Sequence, residues 1–156
     1  MKKTTTKKAK SGAGGRKRRL NTAAALFAAI ESRNPDAVAE LYADDVEVWH
    51  NFSNACQDKA ANLAVLTGLC QSVPEIHYDV VERQLLDDGR VLQRHVLRAR
   101  VPSGEEILIP ACMFITVVRG KIMRIEEYLD TGQANRLRQA TGRPPVDVPA
   151  ASPSAA

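Results

Sequence analysis

The fold is decided by residues 76–129, which read IHYDVVERQLL, then DDG, RVLQRHVLRARV, PSG, EEILIPACMFITVV, RG and finally KIMRIEEYL. Apolar and polar residues alternate through most of this stretch, which is the pattern of strands that bury one face. The three interruptions each contain glycine and are short enough for tight turns. The stretch therefore predicts an antiparallel meander of four long strands, at 76–86, 90–101, 107–118 and 121–129. Pro110 cannot donate a ladder hydrogen bond, so a bulge or a sheet edge is predicted there.

Residues before the meander show helical periodicity. A candidate N-cap at Asn21 precedes the first apolar stripe, and Asn34 followed by Pro35 favours the end of one helix and the start of the next. A short strand that ends near His50 follows, and then a third helix. The apolar positions on which these elements depend are Leu26, Phe27, Ile30, Val38, Leu41, Tyr42, Val46, Val48, Leu63, Leu66 and Cys70. The predicted class is α+β, with three main helices and a last short one at about 133–140.

The chain of 156 residues has the size of one domain. Nine of its 22 Lys and Arg residues fall within residues 1–19, where there is no acidic residue. Such a segment has little apolar surface to bury, so disorder is predicted for 1–19, and the Pro, Ala and Ser content predicts disorder for 143–156. We therefore expect one folded domain at 20–142 between a basic tail and a Pro/Ala-rich tail.

Two interpretations of the basic tail stay open. It can attract nucleic acid weakly and without sequence preference, because cationic side chains displace the counterions of phosphates. It can equally be a solvated extension, since no aromatic residue interrupts the basic run to stack on bases.

Several classes of protein are disfavoured by the sequence. No apolar run approaches the roughly 20 residues that cross a bilayer. The basic tail lacks the apolar centre of a secretory signal, so a cytoplasmic location without membrane contact is expected. Cys56, Cys70 and Cys112 are widely spaced, which predicts reduced thiols rather than disulfides or a cysteine metal site. Neither a metal nor a cofactor is expected, because the chain carries no phosphate-binding loop and no metal-type motif.

The order of the elements and four stretches of sequence resemble a known superfamily. The stretches are LYADDV at 41–46, VWHN at 48–51, FITVVRGKI at 114–122 and EYLD at 127–130. They are similar to the SnoaL-like branch, of polyketide cyclase and ketosteroid isomerase type, of the nuclear transport factor 2-like superfamily. The resemblance covers about residues 23–140 and implies a cone-shaped roll of three main helices on a curved antiparallel sheet. It also implies a homodimer through the open sheet face.

Two enzyme groups of this superfamily can be matched to the chain residue by residue. The resemblance to ketosteroid isomerases puts His50 at the position of the base, and puts Phe27 and Cys112 at the positions of the two oxyanion donors. Phe27 has no hydroxyl and Cys112 is a weak donor, so that activity is not implied.

The resemblance to limonene epoxide hydrolases keeps Arg94 and the final Asp130 of that group. It places Val96 where the group has its first Asp and Val48 where it has a Tyr, while His50 replaces an Asn. One of the two carboxylates is thus missing, which puts epoxide opening in doubt as well.

The matched pocket positions leave His50, Asp130 and Arg94 as candidate catalytic residues. His50 shares a strand face with Val46 and Val48 and is expected to shuttle a proton. Asp130 is expected to orient the imidazole, and Arg94 to keep Asp130 ionised or to hold a substrate oxygen. The substrate-binding residues expected around them are Phe27, Val48, Val96, Cys112, Phe114 and Tyr128.

A structural interpretation of the same residues stands beside the catalytic one. His50 can be a hydrogen-bonded core residue, and Arg94 with Asp130 can be a buried ion pair that closes the sheet. His77 and His95 are assigned structural roles, because His77 opens a strand and His95 is out of step with Arg94. The acidic pair at 126–127 is assigned to a solvated or dimer-facing surface.

The function expected from the resemblance is the binding of a small, mostly apolar, oxygenated molecule. With His50 and Asp130 as proton carriers, the chain would catalyse isomerisation, cyclisation or dehydration without a cofactor. The alternative is a noncatalytic ligand-binding or dimerising module, because this fold hosts enzymes and binding modules alike. A third interpretation is a nucleic-acid-associated protein that binds through its basic tail.

Overall fold

The computed structural model describes residues 7–53 and 55–145. Four helices are formed within these residues: α1 (Lys7–Glu31), α2 (Pro35–Leu41), α3 (Lys59–Ser72) and α4 (Thr131–Ala140). Six strands are formed: β1 (Tyr42–His50), β2 (Cys56–Gln57), β3 (Glu75–Leu85), β4 (Val91–Arg100), β5 (Glu106–Val118) and β6 (Lys121–Leu129). The predicted α+β class, with helices on a meander sheet, is confirmed.

The six strands form one sheet in the order β2-β1-β6-β5-β4-β3. Strands β3 to β6 are the predicted antiparallel meander. The sequence did not predict that β1 pairs in parallel with β6, which makes the sheet mixed, nor that β2 adds a short antiparallel edge to β1. The register shifts within three of the strand pairs, β1 with β6, β3 with β4 and β5 with β6. Such irregularities bend strands and increase their twist.

Pro110 lies at a local sheet edge, as predicted. It pairs with Val96 of β4 on one side, while the pairing of β5 with β6 begins only at Ala111 and Leu129. Its carbonyl accepts a hydrogen bond from the Asp130 N–H at 3.1 Å. The N–H and C=O groups of one strand residue point to the same side of the strand. The nitrogen of Pro110 therefore points toward β6, at a position where the pairing of β5 with β6 has ended.

The core lies between the helices and one face of the sheet. Alternate strand residues point into it, since side chains alternate between the two faces of a strand. Its fully buried large side chains are Leu26, Val38, Val46, Val73, Val91, Gln93, Val101, Ile107, Ile115, Ile122 and Ile125. The opposite face is open and carries cross-strand ion pairs, such as Arg94 with Glu82 at 2.8 Å and Arg100 with Glu75 at 2.9 Å.

Helix α1 begins far earlier than predicted. The sequence placed its cap at Asn21 and predicted disorder for 1–19, whereas the helix spans Lys7–Glu31, so that prediction is wrong for 7–19. Tertiary contacts near the middle of the helix override the local composition. Arg19 Nη1 donates to the Gly89 carbonyl in the β3–β4 turn at 3.1 Å, and Leu20 packs against the core. Residues 1–6 and 146–156 lie outside the described residues, so the disorder predicted for them stays a prediction.

No helix in the described part of the chain combines the length and the apolar character that a membrane span requires.

Candidate functional site

A cavity of about 140 Å³ lies within the cone, under helices α3 and α4 and above strands β1, β6 and β5. Most of its wall is apolar, with side chains such as Leu26, Val48, Leu66, Leu97 and Met113. The polar residues that reach it are His50, Glu127, Tyr42, Asn62, Tyr78, Arg138 and Arg143. A mostly apolar wall with a few converging polar groups is typical of small-molecule sites.

His50 and Glu127 form a buried pair at this cavity. Parallel pairing of β1 with β6 sets the two residues side by side, and both side chains turn to the inner face. His50 Nε2 lies 3.1 Å from Glu127 Oε2, with only 11% and 14% of the respective side chains exposed. Phe52 stacks on the imidazole, with 5.0 Å between ring centroids and 23° between planes. Position and orientation of the ring are thereby fixed from two sides.

The other imidazole nitrogen, Nδ1, has no hydrogen-bond partner in the described part of the chain, although it is buried. Buried polar atoms are nearly always paired, so this one calls for an explanation. With the Nε2 proton directed at the carboxylate, a neutral His50 carries its lone pair on Nδ1. Glu127 also stabilises the imidazolium that forms when Nδ1 takes up a proton. An imidazole backed by a carboxylate has the composition of a general base, and Nδ1 is the nitrogen of this pair that has no described partner.

Two tyrosines add hydroxyl groups to the same cavity. The Tyr42 hydroxyl donates to Asn62 Oδ1 at 2.8 Å, and Asn62 donates in turn to Gln57 Oε1 at 2.9 Å. Burial raises the pKa of Tyr42, and the charge of Glu127 raises it further. Burial and then the same charge also raise the pKa of Tyr78 well above its ordinary value. Both tyrosines therefore keep their protons at neutral pH and act as hydrogen-bonding groups, not as bases.

A second buried polar chain runs along the inner face of β3 and β4. Arg83 Nε donates to Gln93 Oε1 at 2.6 Å, and Gln93 Nε2 lies 3.2 Å from His95 Nδ1. His95 is only 3% exposed and packs edge-on against Phe27 and Tyr78. Burial lowers the pKa of His95; Glu127 opposes this shift and Arg83 adds to it. The structural role assigned to His95 from the sequence fits these contacts, although its side chain is more buried than that of His50.

The structure does not bring Asp130 and Arg94 to His50. Asp130 is the N-cap of α4, where its Oδ1 accepts the Gln133 N–H at 3.0 Å. The carboxylate that pairs with His50 is Glu127, so the expected pairing with Asp130 is wrong. Arg94 lies on the open face of the sheet and pairs with Glu82, because the inward positions of β4 are its neighbours Gln93 and His95.

The expected substrate-binding residues divide into two groups. Val48 lines the cavity, and Phe27 is buried in the core beside it, 5.0 Å from Tyr78 between ring centroids. The rest share the open face with Arg94, and the register shows this: Arg94 pairs with Cys112, and Cys112 pairs with Tyr128. The expected residues that this arrangement places outside the cavity are Val96, Cys112, Phe114 and Tyr128. Phe114 instead lies under the Arg90 guanidinium, at 4.6 Å.

Sequence reasoning missed Glu127 because it treated residues 126 and 127 as one acidic surface. Adjacent residues of a strand point to opposite faces of the sheet, so only one of the two glutamates can lie on the open face. Glu126 is that one, paired with Arg90 at 3.1 Å. Within residues 7–53 and 55–145 no three His, Cys, Asp or Glu side chains gather as metal ligands would.

Comparisons with known proteins agree with this architecture. The family model described as SnoaL-like domain matches residues 23–125. A comparison with curated protein sequences returned no match. Among solved structures, one described as a SnoaL-like polyketide cyclase of Shewanella denitrificans OS-217 is 13% identical, with a TM-score of 0.66 and coverage of 78% of this chain and 97% of the other.

Two further solved structures are similar to the same extent. A protein of ketosteroid isomerase-like fold from Catenulispora acidiphila DSM 44928 is 15% identical, with a TM-score of 0.63 and coverage of 79% and 93%. An LEH-like epoxide hydrolase of M. tuberculosis is 14% identical, with a TM-score of 0.65 and coverage of 80% and 90%. At such identities the likeness shows the fold alone. The matched family model covers well over half of the sequence, and the chain therefore belongs to the SnoaL-like domain family.

Proposed function

We propose that this chain binds a small, mostly apolar, carbonyl-containing molecule in the cavity and moves a proton beside the carbonyl group. The observation that carries the proposal is the buried His50 whose Nε2 faces Glu127 while its Nδ1 has no partner in the described residues. An imidazole that is held by a carboxylate through one nitrogen has the composition of a general base. Polyketide cyclase and ketosteroid isomerase-type folds among the similar structures support the same class of chemistry.

The proposed reaction begins with transfer of a proton from the carbon next to the carbonyl to His50 Nδ1. The electron pair of that C–H bond forms a carbon–carbon double bond, the carbonyl π pair moves onto the oxygen to give an enolate, and Glu127 stabilises the new imidazolium. Tyr78 lines the cavity and stays protonated, so it is the candidate donor to the enolate oxygen. Return of the proton to another carbon gives isomerisation. Attack of the enolate on a second carbonyl, whose oxygen then takes the proton from His50, gives cyclisation, and loss of a β-hydroxyl as water after it takes up that proton gives dehydration.

Hydrogen–deuterium exchange of a simple ketone tests this proposal without knowledge of the natural substrate. The probe is 2-tetralone in deuterated buffer, with the loss of its C1 proton signal followed by NMR. We expect the full chain to accelerate exchange beyond buffer. His50→Gln should lower the catalysed rate by about 100-fold or more, because a positioned general base contributes about 10² to 10⁴. Glu127→Gln should lower it by roughly 10- to 100-fold, the loss of one charge-assisted hydrogen bond to the imidazolium.

The matched control is His77→Gln. His77 also contacts a carboxylate, that of Glu31 at 3.0 Å, but its side chain is 65% exposed on the rim of β3. We expect His77→Gln to exchange the probe like the unmodified chain. Saturable binding of 2-tetralone without accelerated exchange would favour the noncatalytic binding module, and neither binding nor exchange would reject the cavity as a site for this ligand class.

The homodimer implied by the family is a further proposal, supported by the open sheet face. Leu108 and Tyr128 are large apolar side chains that are 42% and 49% exposed on this face. Trp49 packs against the Tyr128 ring at 5.2 Å between centroids and extends the apolar area. Light scattering with size-exclusion chromatography tests the assembly: a monomer mass for the full chain contradicts it, while a dimer that Tyr128→Glu dissociates supports it.

Weak polyanion binding by α1 is also proposed. Arg16, Lys17 and Arg18 are exposed on one helix that continues into the folded core, so their charges are held in a fixed orientation. Binding of a double-stranded DNA of arbitrary sequence should fall steeply with added salt, because phosphate contacts release counterions. The triple change of these residues to Gln should weaken it and reduce its dependence on salt, because fewer phosphate contacts are made. Equal binding by the triple variant would remove this proposal, and the cytoplasmic location expected from the sequence stays a prediction.

A further inference from the structure

The C-terminus of α4 places two arginines at the rim of the cavity. The helix ends in a reversal in which the Arg143 N–H donates to the Arg138 carbonyl at 2.8 Å, and the Gly142 N–H donates to the Gln139 carbonyl at 3.2 Å. Gly142 has a φ of +68°, the left-handed conformation that this Schellman reversal needs. The reversal turns the chain back so that Arg143 lies beside Arg138.

Neither arginine is neutralised by the described part of the protein. Six other described arginines have a carboxylate within 4 Å, as Arg136 on the same helix does with Glu105. Among residues 7–53 and 55–145 no such partner is present for Arg138 or Arg143. Burial lowers the pKa of Arg143, and the nearby charge of Arg138 lowers it further.

Both arginines line the same cavity as His50 and Glu127. Much of the remaining wall is apolar, with side chains such as Leu129, Leu137 and Ile109. The cavity lining thus combines a candidate proton acceptor with two cations that have no carboxylate partner among the described residues. A ligand complementary to this lining has an apolar body and an anionic group.

We propose that Arg138 and Arg143 bind the carboxylate of the ligand, so that the substrate class is an apolar organic acid with its reactive carbonyl directed at His50. This inference rests on the proposed function, since it needs the ligand to occupy this cavity. Guanidinium groups suit the role because their planar N–H donors match the two oxygens of a carboxylate. A bound anion offsets the repulsion between the two arginines. Its binding free energy is therefore more favourable than it would be with either cation alone.

A plain structural role for the two arginines makes a different prediction. Cations in the last turn of a helix stabilise it through the helix dipole and by hydrogen bonds to its last carbonyls. Arg138 also donates to the Pro144 carbonyl, which belongs to that role. If this were their only role, their replacement would lower stability but would not change the relative affinity for charged and neutral ligands.

The test compares two probes of nearly the same shape, 2-naphthoate and 2-acetonaphthone, which differ in the charge of one group. Binding to the full chain is measured by isothermal titration at neutral pH and low salt. We expect 2-naphthoate to bind about tenfold or more tightly than 2-acetonaphthone, the size of a charge-assisted interaction. In the double variant Arg138→Gln, Arg143→Gln this preference should disappear, with the affinity for 2-acetonaphthone changed by less than about twofold.

Arg136→Gln is the matched control, because it removes an arginine of the same helix that pairs with Glu105 outside the cavity. Arg136→Gln should leave the preference for 2-naphthoate intact. Arg143→Lys should keep part of the preference, since lysine keeps the positive charge. If the double variant loses thermal stability, Arg143→Gln alone gives the same comparison with less disturbance of the helix end. Equal affinity of the unmodified chain for both probes overturns the inference while ligand binding in the cavity stands; binding of neither probe overturns both.

Discussion

Single and paired replacements of His50 and Glu127 show whether the two side chains form one buried unit. Their side chains are 11% and 14% exposed, with 3.1 Å between Nε2 and Oε2. Glu127→Leu leaves a buried imidazole N–H without its acceptor. An unsatisfied buried donor costs about 1 to 3 kcal/mol, and loss of a partner from a buried pair reaches about 3 to 5 kcal/mol. We therefore expect Glu127→Leu to lower the free energy of unfolding by about 2 to 4 kcal/mol.

Glu127→Gln is the matched variant, because it has the shape of the native side chain and still offers an oxygen to Nε2–H. It exchanges a charge-assisted hydrogen bond for a neutral one and removes a buried charge, so its cost should be about 1 kcal/mol or less. The double variant His50→Phe, Glu127→Leu leaves neither group unpaired. It should recover most of the loss, with a coupling free energy of at least about 1 kcal/mol between the two positions.

Urea unfolding at neutral pH, followed by circular dichroism, measures the unmodified chain, the single variants Glu127→Leu, Glu127→Gln and His50→Phe, and the double variant, with the slope of each transition compared to confirm two-state behaviour. The reasoning fails if the single costs add to the double cost within about 0.5 kcal/mol, which is the behaviour of independent sites. It also fails if Glu127→Leu is no less stable than Glu127→Gln, because the imidazole would then not depend on its acceptor.

Three further changes probe features around the site. Gly142→Ala should lower the free energy of unfolding by about 1 to 2 kcal/mol, since alanine is strained at a φ of +68°, and thermal unfolding would detect it as a drop of a few degrees. Tyr42→Phe removes the buried hydrogen bond to Asn62 and should cost about 1 to 2 kcal/mol by urea unfolding; an unchanged midpoint contradicts this. His95 has a pKa lowered by burial from its ordinary 6.5, so the folded protein resists a proton that the unfolded chain accepts below that pH. The stability that neutral His95 contributes should be fully present above about pH 6.5 and should fall as the pH drops toward the lowered pKa. His95→Gln should therefore reduce the change of the urea midpoint between about pH 7 and pH 5.

The sequence predicted which strand residues lie together but not which side of the sheet they face. The residues expected beside Arg94 do share a face with it, as the pairing of Arg94 with Cys112 and of Cys112 with Tyr128 shows. That face is the open one. Side chains alternate between the two faces of a strand, so an alignment that is wrong by one residue assigns every side chain to the wrong face. The family match assigned Arg94 and Val96 of β4 to the inner face, whereas the inner face holds Gln93 and His95. The shared parity of Arg94, Arg98 and Arg100 is the signal in the sequence that favoured solvent.

His50 was found from the sequence because its own strand alternates clearly, with Val46 and Val48 buried on the same face. Its partner could not be found in the same way. Glu127 reaches His50 only because β1 lies parallel to β6, and the sequence contains no local mark of a parallel pairing between distant strands. The arginines of the cavity rim depend likewise on the reversal at Gly142, and Arg143, directly after it, was assigned from the sequence to the start of a disordered tail.

The parallel junction of β1 with β6 also bears on the order in which the protein folds. Neighbouring strands of the meander are joined by tight turns and can form early, whereas Glu47 and Arg124 across the junction are 77 residues apart in the chain. Closing so long a loop costs entropy before any contact is made, so we expect this junction to form after the transition state. Mutations in β1 should then accelerate unfolding and leave the refolding rate nearly unchanged, while mutations in the β4–β5 hairpin should slow refolding. Because His50 and Glu127 face each other across the late junction, partly folded molecules would already contain a sheet yet have no proton-transfer pair, and recovery of the site during refolding would lag behind recovery of strand structure.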